Sequence, residues 1–411
     1  MGDRAATLLR DRATAEGFVA SICFKHGPPT RYGVELEWTV HHADDPARPI
    51  DLPTLRRALG PHAPATLAPE PPQDPPAPLP NGSSVTVEPG GQVEISTSPQ
   101  QSVPELLHAT SRDSDELGRL LAEAGLVRGD QAVDAHRPPT RLLQTPRYTA
   151  MQKAFDRIGP AGSRMMCGTA AVQVCLDAGE EDRVGARWMA LHGLGPVMIA
   201  LFANSAAVAD DGHAWESSRM RSVLDTDPCR SLPGPPTSDP VGSWAARALD
   251  TPLLCVRRSG PCWDAPAGMT FADWVDGALD TPPTVEDLEY HLSTLFPPVR
   301  PRGYLEVRYL DAQPGTDWML PTAALAALFS DESVVDRVAE LAAPVADCWM
   351  RAAEHGLREP ALAHAAREIL GLARGLLSET TRATGLADRL ADHLTRRLAA
   401  AESREPGGVL R

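Results

Sequence analysis

The stretch EPGGQVEIS at Glu88–Ser96 joins a turn to a strand whose two faces differ. Pro89 fixes one backbone angle, and Gly90–Gly91 permits conformations that other residues avoid, so the stretch opens as a turn. From Gln92 to Ser96 polar and apolar residues alternate. Because successive side chains of a strand leave opposite faces, one face carries Glu94 and the other face is apolar.

The same alternation recurs in Val34–Thr39, Cys167–Leu176 and Leu305–Leu310. Their polar faces carry, in chain order, Glu35 and Glu37, then Thr169 and Gln173, and then Glu306 and Arg308. Four strands that each have one polar and one apolar face are typical of an antiparallel sheet backed by helices. The sequence therefore predicts an α+β fold in which the polar face of the sheet is the functional surface.

The charged positions on this polar face are almost all glutamate, with Arg308 as the exception. An ordinary solvated face carries both signs of charge, and clustered carboxylates repel one another unless cations lie among them. Mg²⁺ binds carboxylate oxygens and keeps phosphate and water ligands, so we expect a divalent-metal and phosphate site. The candidate metal ligands are Glu35, Glu37, Glu88, Glu94 and Glu306. The alternative is an acidic, solvent-facing sheet.

Arginines and neutral polar side chains supply candidates for binding substrate. Arg308 shares a face with Glu306, and arginine makes bidentate contacts to carboxylate or phosphate. A simple ion pair with Glu306 is the competing explanation. Further candidates for substrate or phosphate binding are Arg219, Arg221, Gln92, Thr169 and Gln173.

Bulk properties exclude several classes of protein. The chain has 411 residues and a net charge of −15, which argues against nucleic-acid and anionic-membrane partners. We find no run of about 18 apolar residues, and the N-terminus lacks an apolar signal region. Seven cysteines without a C-x-x-C pair indicate a cytoplasmic protein with reduced thiols. A P-loop is missing, so any ATP is held by metals and arginines instead.

The pattern of elements predicts a single catalytic domain over residues 1–411. Pro61–Gly82 is rich in proline and divides two strands of the same type, so it is interpreted as an insertion loop. Residues 322–401 are helical in pattern. Gly193 and Gly195 predict a break between two helices, the second beginning at Pro196.

Six segments together carry a resemblance to a known family. They are RYGVELEW (Arg31–Trp38), EPGGQVEIS (Glu88–Ser96), RMMCGTAAVQVCLD (Arg164–Asp177), GPVMIALFANS (Gly195–Ser205), SRMRSVLDTDPCR (Ser218–Arg230) and HLSTLFPPVRPRGYLEVRYLD (His291–Asp311). The chain resembles the second glutamate–cysteine ligase family, and most of all its actinobacterial branch that serves ergothioneine biosynthesis.

The resemblance implies an ATP-dependent ligase that uses Mg²⁺, with Mn²⁺ as an alternative, on a glutamine-synthetase-like fold whose antiparallel sheet curves around the site. ATP would phosphorylate the γ-carboxylate of L-glutamate, and the amine of L-cysteine would displace phosphate to give γ-glutamylcysteine. The five candidate glutamates fall on the family's metal positions, and Glu306 and Arg308 fall on its catalytic positions. The implied partners are these small molecules, and the oligomeric state is left open.

Two alternatives remain at this point. A related carboxylate–amine ligase with a different amine acceptor would share the same metal and phosphate apparatus. A non-catalytic nucleotide- or amino-acid-binding relative would be expected to have lost metal carboxylates, whereas this chain keeps all five glutamates.

Overall fold

The computed structural model describes residues 7–68, 74–208, 212–377, 381 and 384–403. Its strands are β1 Tyr32–Trp38, β2 Val40–His42, β3 Ser84–Val87, β4 Val93–Ser96, β5 Leu126–Arg128, β6 Ala171–Leu176, β7 Ala207–Val208, β8 Ala214–Trp215, β9 Val299–Pro301 and β10 Leu305–Asp311. Its helices are α1 Arg12–Cys23, α2 Leu52–Leu59, α3 Val103–Glu123, α4 Pro146–Asp156, α5 Ala161–Gly168, α6 Val184–Phe202, α7 Ser218–Leu224, α8 Pro228–Ser231, α9 Pro240–Asp250, α10 Phe271–Val275, α11 Val285–Leu292, α12 Met319–Leu328, α13 Glu332–Ala342, α14 Trp349–His355, α15 Pro360–Leu376 and α16 Leu386–Ser403.

Among the described residues, six strands form one sheet in the order β3-β4-β1-β6-β10-β9. Every neighbouring pair in this sheet is antiparallel, and two short ribbons, β2 with β5 and β7 with β8, lie apart from it. The four strands that the alternation predicts therefore lie side by side at the centre of one sheet. The predicted α+β fold with an antiparallel sheet is confirmed.

The strand register brings the polar residues of different strands together. Glu37 lies opposite Glu94 on β4, and Glu35 lies opposite Gln173 on β6. On the far side of β6, Glu306 lies opposite Cys175. Because residues directly opposite in an antiparallel pair share a face, these side chains line one continuous surface.

The apolar face of the sheet packs on helices. Val34, Leu36, Val174 and Val307 are almost completely buried, and the hydroxyl of Tyr309 donates to a backbone carbonyl of α6. Burial of these side chains on one face leaves the opposite, polar face available for ligands.

Helix α6 runs unbroken through Gly193, Gly195 and Pro196, so the predicted break is wrong. A Cβ at Gly195 would lie 2.1 Å from the ring of Trp349, which shows that this glycine serves a close helix contact and not a hinge. By length and composition alone α6 could cross a membrane, but 78% of its apolar window is buried inside the protein. It is a core helix.

The predicted strand Cys167–Leu176 is correct only in its second half. Helix α5 extends to Gly168, and the strand begins at Ala171. The hydroxyl of Thr169 donates to the carbonyl of Met165, four residues earlier, as at a helix end. The helix therefore overrides the apparent alternation at residues 167–168.

The proline-rich loop contains only two short 3₁₀ turns among its described residues, Gly60–His62 and Ala65–Leu67. Residues 69–73 of the predicted loop lie outside the described residues. Its arms are tied together, since the amide of Ala77 donates to the carbonyl of Pro61. The loop turns back towards the sheet and brings Pro64 and Thr66 to the cavity described below.

The C-terminal region is helical from α12 to α16, as predicted, with residues 378–380 and 382–383 outside the described part. A connected hydrophobic core runs from Leu9 to Leu390. On this basis we propose that the chain forms a single domain.

Candidate active site

A cavity of about 590 Å³, here called the main cavity, lies over the polar face of the sheet. Its wall contains the predicted site residues Glu35, Glu37, Glu88, Gln92, Glu94, Thr169, Gln173, Arg219 and Arg308. The structure thus brings together all the candidate site residues except Glu306 and Arg221. These two lie elsewhere, for reasons given below.

The turn at Glu88–Gly91 sets the position of the first carboxylate. The amide of Gly91 donates to the carbonyl of Glu88, and the amide of Glu88 donates to the carbonyl of Gln92. Gly91 has a φ of 92°, which favours glycine. At Gly90 a Cβ would lie 2.1 Å from the carbonyl oxygen of Cys167. The double glycine therefore lets this turn close against the end of α5.

Four glutamates form the acidic half of the main cavity: Glu35, Glu37, Glu88 and Glu94. Burial is the main cause that raises the pKa of each, and neighbouring carboxylates raise it further. The pKa of Glu88 is raised to about 7. Ionising all four at once is costly in a site without added positive charge, so this half favours binding of cations.

The donor chemistry of the acidic half fits a hard divalent cation. Carboxylate oxygens are the ligands that Mg²⁺ prefers, and Mg²⁺ usually takes one or two of them together with phosphate and water. Within the described part of the chain, no three Asp, Glu, His or Cys side chains converge tightly enough to hold an ion by themselves. The arrangement therefore fits a metal that is completed by substrate oxygens.

Glu306 is fully buried and is held by arginines. Arg300 donates to both of its oxygens, at 2.6 Å to Oε2 and 3.1 Å to Oε1. Arg308 donates to Oε2 at 3.2 Å, and Arg302 lies 3.6 Å from Oε1. Burial would raise the pKa of Glu306, but these arginines outweigh it and lower the pKa to about 2.

This geometry bears on the metal role that the sequence predicts for Glu306. Its two oxygens accept hydrogen bonds from guanidinium groups, and it does not lie on the cavity wall. In this arrangement Glu306 positions Arg300 and Arg308. The alternative named at the outset, an ion pair between Arg308 and Glu306, is therefore present.

Gln173 links the two halves of the cavity. Its Nε2 donates to Glu37 at 2.7 Å, and its Oε1 accepts a hydrogen bond from Arg308. The amide thus connects a carboxylate of the acidic half to the arginine that faces it. This contact fixes the direction of both side chains.

Arg219 lies on the cavity wall and is also fixed. Its Nη2 donates to the backbone carbonyl of Arg308 at 2.9 Å, and its Nη1 lies 3.7 Å from Asp311. Asp311 in turn accepts hydrogen bonds from Ser205 and Ser217. Arg219 and Arg308 are therefore two anchored cations on the same side of the cavity.

Arg221 lies outside the main cavity. Its guanidinium lies over the ring of Trp215, 4.6 Å from the centroid, and 3.6 Å from Asp225. It lines a separate pocket of about 220 Å³ with Arg137 and Arg164. Thr169 also lines this pocket, so Arg221 lies near one predicted site residue but outside the main cavity.

Gln92 and Thr169 lie at the end of the cavity near α5. The Nε2 of Gln92 donates to the carbonyls of Met166 and Thr169, at 3.3 Å and 2.8 Å. The Oε1 of Gln92 is buried and has no hydrogen-bond partner among the described residues. Gln92 therefore fixes the link between α5 and β6 and keeps one unused acceptor there.

Sequence reasoning missed several residues of the cavity wall. Arg300 lies directly opposite Glu306 in the β9–β10 register, and Arg302 and Tyr304 follow it. The motif VRPRGYLEVR contains all three residues, but the sequence analysis gave them no role. Arg147 and Tyr148 of α4 were also missed, because a helical arginine gives no indication of the cavity it faces.

A second cavity of about 880 Å³ lies at the other end of the central strands. It shares Glu35, Ser96 and Tyr304 with the main cavity. Lys25 and Arg31 contribute positive charge to its wall. The two cavities therefore meet at Glu35, next to the carboxylate cluster.

Comparison with known proteins assigns the chain to a family. Residues 31–407 match the sequence profile of "Glutamate-cysteine ligase family 2 (GCS2)". The chain belongs to this family. It is 37% identical over 398 residues to "Glutamate--cysteine ligase EgtA" of Mycobacterium tuberculosis H37Rv, a match that covers 94% of this chain and 88% of that protein.

Other members of the glutamate–cysteine ligase family are also similar. The EgtA protein of Mycolicibacterium smegmatis is 37% identical over 366 residues, covering 87% of this chain and 83% of that protein. The chloroplastic glutamate–cysteine ligase of Medicago truncatula is 30% identical over 332 residues, covering 75% of this chain and 64% of that protein. Assignment to this family of ligases confirms the predicted class of enzyme.

Among solved structures, the bifunctional glutathione synthetase of Pasteurella multocida superposes with a TM-score of 0.50 at 12% identity. The superposition covers 97% of this chain and 52% of that one, so the chain spans about half of the bifunctional protein. At this identity the likeness concerns the fold alone. It agrees with the α+β architecture that surrounds the main cavity.

Proposed function

We propose that this protein joins the γ-carboxylate of L-glutamate to the amine of L-cysteine with consumption of ATP, giving γ-glutamylcysteine. The observation that carries the proposal is the main cavity, where four glutamates with raised pKa values face the anchored Arg219 and Arg308. Membership in glutamate–cysteine ligase family 2 and the similarity to the EgtA proteins support the choice of substrates.

The reaction has two chemical steps. An oxygen of the glutamate γ-carboxylate attacks the γ-phosphorus of ATP, and the bond from that phosphorus to the leaving ADP oxygen breaks. The cysteine nitrogen then attacks the carbonyl carbon of the acyl phosphate and loses a proton, and the carbon–oxygen bond to phosphate breaks. The products are ADP, phosphate and γ-glutamylcysteine.

The first step requires two anions to meet, so positive charge at the meeting point is essential. Arg308 is held by Gln173 and Glu306, which points its guanidinium along the cavity wall. Arg219 is held by the backbone carbonyl of Arg308. Because both cations are fixed before substrate binds, little reorganisation is needed when charge shifts to the transferred phosphoryl group.

Glu35, Glu37, Glu88 and Glu94 would hold Mg²⁺, or Mn²⁺ in its place. When bound, the metal supplies positive charge to the phosphate oxygens. Glu306 is already neutralised by three arginines, and we assign it a positioning role for Arg308.

ATP fits as a co-substrate that spans the junction of the two cavities. The main cavity alone is small for a nucleotide together with two amino acids. With the phosphate chain beside Glu35 and Tyr304, the nucleoside would extend into the second cavity, where Lys25 and Arg31 lie. We therefore place the three small-molecule substrates across both cavities.

The sequence resemblance, together with the similarity to the EgtA proteins, supports a place in ergothioneine biosynthesis. A cytoplasmic location is proposed because the seven cysteines are free thiols. A different amine acceptor on the same apparatus is the second candidate. This candidate is favoured because the glutamates and arginines of the cavity account for binding of glutamate and phosphate, but not for the choice of the amine.

The decisive experiment measures phosphate release by purified protein with Mg-ATP and glutamate, with and without cysteine, together with mass analysis of the product. Cysteine-dependent release with γ-glutamylcysteine is the expected result. Release that does not depend on cysteine would move the assignment to another acceptor. No release with any amine would favour a binding protein.

A further inference from the structure

The C-terminal helix α16 caps the end of the core helix α6. The last four carbonyls of a helix have no partner within it. In α6 the carbonyl of Ala200 accepts a hydrogen bond from Nη2 of Arg397 at 3.2 Å, and that of Leu201 accepts one from Nε2 of His393 at 2.9 Å. The ring of His393 also stacks on Phe202, with 4.9 Å between the ring centroids. Side chains of α16 therefore fix the position at which α6 ends.

The chain that leaves α6 supports Arg219 on the wall of the main cavity. The amide of Asn204 and the hydroxyl of Ser205 donate to Oδ2 of Asp311, at 2.8 Å and 2.6 Å. The hydroxyl oxygen of Ser205 also accepts a hydrogen bond from the amide of Arg219 at 3.1 Å. Because Asp311 lies 3.7 Å from the guanidinium, this segment holds both the backbone and the charged group of Arg219.

Helix α16 also contacts the second segment that supports Arg219, which lies just before α7. The guanidinium of Arg397 lies 3.9 Å from the carboxylate of Glu216, a buried side chain. The next residue, Ser217, is the N-cap of α7 and donates to Asp311 at 2.9 Å. Arg397 therefore contacts both chain segments that hold Arg219.

We propose that Arg397 is a positioning residue for Arg219, so that the C-terminal helix is part of the apparatus for phosphoryl transfer. This inference rests on the proposed function, in which Arg219 offers a fixed charge to the transferred group. Arg397 lies outside the wall of the main cavity and acts through Ala200 and Glu216. A cation that is fixed before substrate binds needs little reorganisation, and a displacement of about 1 Å is enough to slow a reaction strongly.

The competing explanation is that Arg397 only stabilises the fold. Helix α16 packs on the core through Leu386 and Leu390, which are completely buried, so its removal would destabilise the whole protein. The contacts of Arg397 are polar instead and lie on the two segments that hold Arg219. Substitution of single side chains can therefore separate the two explanations.

The first test compares Arg397→Met with Arg396→Met. Arg396 is the preceding residue of the same helix and is exposed, so it controls for the loss of one arginine from α16. We expect Arg397→Met to lower kcat for phosphate release about 10-fold, because Arg219 loses its fixed direction. Arg396→Met should change kcat less than about twofold. Arg397→Lys should be intermediate, since it keeps the charge and loses the planar fork that serves two contacts.

A double-mutant cycle with Arg219→Met shows whether Arg397 acts through Arg219. Arg219→Met leaves no charge to position, so Arg397→Met should lower the residual kcat less than about twofold in that background. Residues that act through one another give such non-additive effects, whereas a general structural defect lowers kcat by the same factor in both backgrounds. Arg219→Lys provides a second and more active background, in which the factor should also fall below the factor seen with Arg219 in place.

The outcomes separate this inference from the proposed function. If wild-type protein releases no phosphate with any amine, the proposed function fails, and the same cycle is followed by the midpoint of denaturant unfolding, where additive shifts would overturn the link between Arg397 and Arg219. If wild-type protein is active, an unchanged kcat of Arg397→Met, or an equal loss in both backgrounds, overturns the inference. Circular dichroism checks the fold, and Glu216→Gln replaces Arg397→Met in the cycle if that variant does not fold.

Discussion

Buried carboxylates on the polar face of the sheet have two opposite environments, one on the wall of the main cavity and one beside it. Three arginines surround Glu306, and the pKa of this side chain is lowered to about 2 despite complete burial. On the neighbouring strands and turn, four glutamates share one surface, and burial and mutual repulsion raise the pKa of each. All five residues have the same chemistry, so the difference lies in the cations that the chain supplies.

This difference separates structure from function within one sheet. A buried carboxylate with three guanidinium partners is complete, and its role is to hold those arginines in place. A buried carboxylate cluster whose pKa values stay raised despite neighbouring arginines is incomplete, and we expect bound metal ions to stabilise it. We propose that the active site is the acidic half together with the arginines that Glu306 positions. Substitutions among the four glutamates, at Glu306 and at Arg221 break or sharpen this comparison.

The largest effect is expected from the acidic half. Glu35→Gln and Glu94→Gln should each lower turnover by about 1000-fold, because an anionic metal ligand is lost where phosphoryl charge develops. Circular dichroism should show an intact fold. Phosphate release is the measurement, and Glu340→Gln, a change at an exposed residue of α13, is the control. Near-normal activity in both variants would contradict the metal-binding role.

Removing the carboxylate of Glu306 should affect stability as well as activity. Glu306→Gln leaves Arg300, Arg302 and Arg308 without their shared carboxylate. We expect the free energy of unfolding to fall by about 3 kcal/mol, as is typical when one partner of a buried ion pair is removed. Turnover should fall by about 100-fold because Arg308 is no longer fixed. Denaturant titration and phosphate release measure the two effects. An active variant of normal stability would show that Glu306 does not position these arginines.

The acidic half also predicts how the stability of metal-free protein depends on pH. The pKa of Glu88 is raised to about 7 in the folded state, so the folded state binds this proton more tightly than the unfolded state. The resulting stability is fully present below the unfolded pKa, about 4, and is lost as the pH rises through about 7. In EDTA the melting temperature should therefore fall between about pH 5 and pH 8.

Glu88→Gln should reduce this loss and be more stable than wild type at about pH 8, by roughly 1–3 kcal/mol. Addition of Mg²⁺ should reverse the ranking, because only the wild-type protein keeps the full set of ligands. If Glu88→Gln and wild-type protein show the same pH profile in EDTA, the raised pKa of Glu88 is refuted.

The smallest effect is expected at Arg221, which the sequence named as an anion-binding candidate. Arg221→Met should change kcat/KM for glutamate by less than about threefold, because the side chain lies on Trp215 outside the main cavity. The same substitution at Arg219 is the comparison and should cost much more. A loss of more than about tenfold at Arg221 would place it in the catalytic machinery after all.

The sequence was informative where structure is local. Alternation over four or five residues identifies a strand and its faces, and EPGGQ predicts a turn that places Glu88 beside Glu94. Strands β1, β4, β6 and β10 follow from this pattern, and so do six residues of the cavity wall: Glu35, Glu37, Gln92, Glu94, Gln173 and Arg308. Thr169 shows the limit, since it lies directly after a helix where the alternation predicts a strand.

The sequence did not predict which residues lie opposite one another in neighbouring strands. Arg300 neutralises Glu306 only because β9 pairs with β10 at that position, and no local pattern specifies such a pairing. Arg219 and Arg221 differ for another reason. Side chains two positions apart on a helix point about 200° apart, so only one of them faces the cavity. The sequence SRMR does not show which of the two arginines faces the cavity.

The most direct test of the account is whether protons leave the protein when a divalent cation binds. Metal-free protein is titrated calorimetrically with Mn²⁺ in two buffers of different ionisation enthalpy, at about pH 7 and about pH 8.5. Carboxylates with raised pKa values must lose protons on binding, so the account predicts proton release at pH 7 and less at pH 8.5. Glu88→Gln should release fewer protons at pH 7. Binding without proton release would contradict the claim that the four glutamates hold the cation.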